Sequence, residues 1–104
     1  MTTSGDNPVK STKYKLDEDA IFESFSDGGL ILRLTDCNLF ELNQTSTFIL
    51  SNTDGNQTVG DVVVKMVHEF EIAENDALKD VLEFYRQMSI EKLLVNSISE
   101  GKME

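Results

Sequence analysis

Apolar and polar positions change period several times along this chain. Ile21 and Phe22 lead into an alternating Ser24 and Phe25, and Asp27-Gly28-Gly29 follows. Leu30-Ile31-Leu32-Arg33-Leu34 then alternates, with Leu30, Leu32 and Leu34 on one face. Two such runs around Asp-Gly-Gly predict a β-hairpin. Thr35-Asp36-Cys37-Asn38 is a second turn signal, and Leu39 to Leu42 is a third short strand. Three sequential strands joined by tight turns predict an antiparallel meander. Its last strand is an open edge unless something pairs with it.

The period then becomes helical. Asn43 is a favourable N-cap for a helix running to about Ser51, and Asp54-Gly55 marks a loop after it. Thr58 is a second N-cap, with Asp61 three residues on in a capping-box position. Val59, Val62, Val63, Met66, Val67 and Phe70 then fall on one face of an amphipathic helix. A third helix is predicted from Asn75 or Asp76 to about Met88. It has two apolar stripes: Ala77, Val81, Phe84 and Met88, and separately Leu78, Leu82 and Tyr85. A helix packed on one core needs a single stripe, so the second, flanked by Lys79 and Arg86, is a candidate groove lining. Ile90 and Leu93-Leu94-Val95 read as a packed extension or short strand.

Outside these elements the chain is polar. Residues 1–16 lack an apolar period and read as a flexible tail, and residues 1–15 are expected to be removable without loss of fold or of peptide binding. Residues 17–96 form the single domain that 104 residues allow, and 97–104 a second flexible tail. No apolar run approaches a membrane span, and no apolar signal core opens the chain. A lone cysteine, Cys37, has no disulfide partner within the chain, which favours a cytoplasmic setting. The net charge is −10, and residues 19–104 hold six cations against sixteen acids. Such a domain is repelled by phosphate backbones and anionic lipid, so neither nucleic acid nor membrane is an expected partner. Cys37 and His68 lack metal-ligand spacing, and no residues are arranged for catalysis. No metal, cofactor or enzyme activity is expected.

The order Leu42-Asn43-Gln44-Thr45, Ile49-Leu50, Asp54-Gly55 and Thr58-Val59, with Asp80-Val81 and Tyr85/Met88 in the third helix, resembles the PqqD-like family. This is a class of RiPP recognition elements, RiPPs being ribosomally made, post-translationally modified peptides. The likeness spans roughly Asp19 to Leu94. The chain departs from it at Lys92, where glycine is expected before the terminal apolar pair, and at Phe48, where a polar residue is common.

The resemblance implies an α+β, winged-helix-like fold, a three-stranded antiparallel sheet followed by three helices. It also implies peptide binding without catalysis, in a stand-alone chaperone. The leader of a precursor peptide would add as a strand beside Leu39, Phe40, Glu41 and Leu42. The facing helix would supply Leu78, Val81, Leu82 and Tyr85, with Lys79 and Arg86 reading an acidic leader residue. The peptide would pass to a modifying enzyme such as a radical-SAM maturase, a cyclodehydratase or a leader peptidase. Covering of the edge by the N-terminal segment or by a second copy in a homodimer stays open. The rival class is a winged-helix DNA-binding regulator, disfavoured by the acidic residues of the third helix.

Overall fold

A computed structural model describes residues 10–96. It contains β1 (Lys13–Leu16), β2 (Ala20–Phe25), β3 (Gly28–Arg33), β4 (Asn38–Leu42), α1 (Gln44–Ser51), β5 (Asp54–Thr58), α2 (Val59–Phe70), α3 (Glu74–Ile90) and β6 (Leu94–Asn96). The three-stranded meander is present as an antiparallel sheet in the order β2-β3-β4. A second antiparallel sheet has the order β5-β1-β6. The fold is therefore α+β, with two small sheets rather than one.

The first two helices begin where their capping chemistry places them. The Asn43 side chain accepts from the Ser46 N–H at 2.8 Å. Thr58 and Asp61 form a reciprocal capping box, with bonds of 3.0 Å in both directions. α3 starts after Ala73 with no side-chain cap. Its C-terminus closes in a Schellman arrangement, with Leu93 N–H donating to Met88 C=O and Lys92 N–H to Ser89 C=O. Lys92 holds the left-handed position at φ 60. A lysine Cβ is strained there where glycine is not. Lys92→Gly is expected to stabilise the domain by about 1 kcal/mol, read as a higher urea midpoint.

Gly28 and Gly29 lie inside β3 rather than in the turn, which is made by Ser26 and Asp27. Their role is close approach. A Cβ on Gly29 would sit 2.8 Å from the Glu23 carbonyl oxygen and 2.9 Å from Thr47 Oγ1. A Cβ on Gly28 would meet the Leu42 carbonyl oxygen at 2.7 Å. At Gly29 the missing side chain lets α1 settle onto the sheet, and at Gly28 it makes room for the end of β4.

β3 turns Ile31, fully buried, toward the core. Leu30 and Leu32, of opposite parity, are only half-buried, and Leu34 beyond the strand is exposed. Across the strands Ile21, Leu32 and Leu39 share one row. The core itself collects Ile31, Ile49, Val62, Val63, Met66, Val81, Tyr85 and Leu93.

The tail expected over residues 1–16 is corrected at its end. Lys13–Leu16 is the central strand of the second sheet, paired with β5 on one side and β6 on the other. Tyr14 is buried and its ring lies 4.7 Å from that of Tyr85. Asp54–Thr58, expected as a loop, is a strand because β1 pairs with it. The second tail expected over residues 97–104 lies outside the described residues. No helix among the described residues is long and apolar enough to cross a membrane.

Candidate functional site

β4 is an edge of its sheet, paired with β3 alone among the described residues. Its free side carries unpaired backbone donors and acceptors. β1, a candidate to cover that edge, is instead held between β5 and β6. Beside the edge runs an open groove of about 570 Å³, walled by β4 and the start of α1 on one side and by α3 on the other. Phe40, Leu42, Ile49, Phe84 and Met88 give it an apolar floor, and Glu41, Asp80, Glu83, Gln87 and Glu91 line it with polar groups.

Of the strand residues expected at the site, Phe40, Glu41 and Leu42 line this groove. Leu39 belongs to the same edge but stands outside the groove and is exposed. The helix half is corrected. Val81 and Tyr85 are buried in the core, and Leu78 and Leu82 pack against it. Lys79 and Arg86 are exposed and line no part of the groove. The face that α3 presents is Asp80, Glu83, Phe84, Gln87 and Met88. The cause lies in the second sheet. Tyr14 of β1 packs on Tyr85, and both α2 and β6 contact α3, so this helix needs two apolar stripes for its own core.

Arg33, not among the residues expected at the site, contacts two residues that line the groove, Phe40 and Glu91. Its guanidinium lies 5.0 Å above the Phe40 ring. It donates two 3.1 Å bonds to the Asp36 carboxylate and another to the Glu91 carbonyl oxygen, and pairs with the Glu91 carboxylate at 3.7 Å. The hydrogen bonds from Arg33 hold the Asp36 carboxyl below its usual range. This cation thus ties β3 to the end of α3 and orients Phe40. A signal did exist: an arginine ending an otherwise apolar strand, three residues before an aspartate.

Tyr85 anchors the other side of α3. Its hydroxyl shares a 2.7 Å hydrogen bond with Thr53 Oγ1, which also donates to the Ile49 carbonyl oxygen at 2.7 Å. Burial pushes the Tyr85 hydroxyl up to about 12. The folded value exceeds the unfolded one near 10, so the neutral phenol favours the folded state. That contribution is complete below about pH 10 and is lost as pH rises toward about 12. Wild type is expected to lose stability over this window more steeply than Tyr85→Phe, measured by urea unfolding at stepped pH.

Cys37 is exposed in the turn between β3 and β4, and His68 is exposed in the last turn of α2. Among the described residues no three His, Cys, Asp or Glu side chains are grouped to hold a metal ion.

Fold and groove together define a small α+β domain with an open strand edge facing a helix. The family model for coenzyme PQQ synthesis protein D (PqqD) matches residues 28–94. The chain belongs to the PqqD family. Two solved structures share the fold. TbiB1 in complex with the TbiA(beta) leader peptide has a TM-score of 0.71 at 19% identity, over 77% of this chain and 93% of that one. Lasso peptide synthetase B1 complexed with the leader peptide has a TM-score of 0.72 at 17% identity, over 80% and 98%. A comparison with curated proteins gives no match.

Proposed function

We propose that this domain is a peptide-binding chaperone. It takes the leader of a ribosomally made precursor as an added strand on β4 and presents it to a modifying enzyme. The observation that carries the reading is the free β4 edge beside the apolar-floored groove. Backbone hydrogen bonds to such an edge each contribute roughly 0.5–1.5 kcal/mol net and are indifferent to sequence. Apolar pockets beside it add selectivity. Membership of the PqqD family and the two leader-bound neighbours support the same role.

In this reading the domain itself performs no catalysis and needs no cofactor. Its enzyme partner is a peptide maturase in the cytoplasm, a radical-SAM enzyme being one class that fits. A DNA-binding role is disfavoured by charge: α3 sets Asp76, Asp80 and Glu83 against Lys79 and Arg86.

Titration with the leader of a precursor encoded beside this gene tests the proposal. Saturable binding is expected that shifts the amides of Asn38–Leu42. No saturable mobility shift with duplex DNA is expected at about 0.15 M salt. Duplex binding at that salt, with no response to the peptide, would reverse the assignment.

A further inference from the structure

Resting on the peptide-binding reading above, we infer that the β4–α3 groove selects cationic peptide segments. The free edge and the apolar floor define where a peptide lies; the carboxylates around them set the sign of charge it should carry. Four acids line the groove: Glu41 on the strand wall and Asp80, Glu83 and Glu91 on the helix side. Only Glu91 has a cation, and that cation, Arg33, is shared with Asp36. Glu41, Asp80 and Glu83 form no ion pair among the described residues. Lys79 and Arg86, the cations expected to read an acidic leader, are exposed outside the groove.

An extended peptide on β4 points alternate side chains toward opposite faces. An acidic side chain entering the groove would meet like charge from both walls. A lysine or arginine there can lay its methylene stem along Phe84 and Met88 and bring its charge to Asp80, Glu83 or Glu41. Arginine adds bidentate geometry toward a carboxylate. The net charge of −10 also draws cationic segments toward the domain before docking.

The experiment selects binders to the intact chain from a displayed library of random linear 20-residue peptides. Those that shift Asn38–Leu42 amides count as groove binders. They are expected to be enriched in Lys and Arg over Asp and Glu, beside alternating apolar residues. Their affinity should fall about tenfold between low and high salt, and by a similar factor in the triple variant Glu41→Gln, Asp80→Asn, Glu83→Gln. The thermal midpoint of that variant reports whether its fold is kept, and the salt series on wild type decides independently of it. Groove binders that are neutral or acidic, with affinity indifferent to salt, would overturn the charge selection and leave the peptide-binding reading standing. If no peptide engages β4, both fall.

Discussion

Removing residues 1–16 is expected to unfold the domain, and Tyr14→Ala alone to cost about 3–5 kcal/mol. The deletion takes out β1, the strand that joins β5 to β6. It also removes the Thr12 and Lys10 carbonyl oxygens that accept from Val59 and Gly60 N–H at the start of α2, at 2.9 and 3.0 Å. Tyr14 itself is buried against Tyr85, so alanine leaves a cavity between the second sheet and α3. A domain this size has a total stability of about 5–15 kcal/mol, so either change consumes a large share of it. Urea unfolding followed by far-UV circular dichroism reads the effect. A truncated chain with an unchanged cooperative transition would show that the second sheet contributes little.

Blocking the β4 edge should separate peptide binding from folding. Along an edge strand, alternate residues direct their N–H groups inward to the sheet and outward to a partner. Proline at one of the neighbours Phe40 and Glu41 therefore removes an outward donor. It should weaken peptide binding by about 1–3 kcal/mol, some 5- to 150-fold, with a smaller change in stability. Proline at the other removes a bond to β3 and should mainly destabilise the fold. On the facing wall, Met88→Ala should weaken the same binding by about 1–2 kcal/mol through lost apolar contact. Isothermal titration paired with unfolding curves distinguishes these outcomes. Equal losses of binding and stability in both proline variants would argue against strand addition.

Much of the fold was legible because its signals are local. Asn43, Thr58 and Asp61 cap helices through side chains within three residues of their targets. The β2-β3-β4 meander is written in alternation and turn chemistry, and its register joins neighbouring segments. Lys13-Tyr14-Lys15-Leu16 offers only two apolar residues, alternating with two lysines, and its partners lie about 40 and 80 residues away. Asp54-Gly55-Asn56-Gln57-Thr58 is a sequence of poor strand formers, made a strand by pairing with β1. Neither strand carries a strong local signal.

The helix wall was misread for the same reason. With β1 taken as tail, Leu78, Leu82 and Tyr85 had no core to fill and were assigned to the groove. With β1 in place Tyr85 belongs to the interior, Leu78 and Leu82 pack against it, and Phe84 and Met88 line the groove. The edge position of Phe40 to Leu42 is legible because a last strand following a meander needs no knowledge of distant partners. The tie from Arg33 to Glu91 has no local signal, because these residues are 58 positions apart and meet only in the folded chain.

The central claim is that a peptide adds to β4 in the groove facing α3. Residue-by-residue chemical-shift and amide-exchange mapping tests it most directly, with a saturating peptide taken from the library selection. The account predicts new protection at alternate amides of Asn38–Leu42, together with shifts at Phe84, Gln87 and Met88. Protection and shifts confined to Val59–Phe70, with β4 and α3 unchanged, would contradict it.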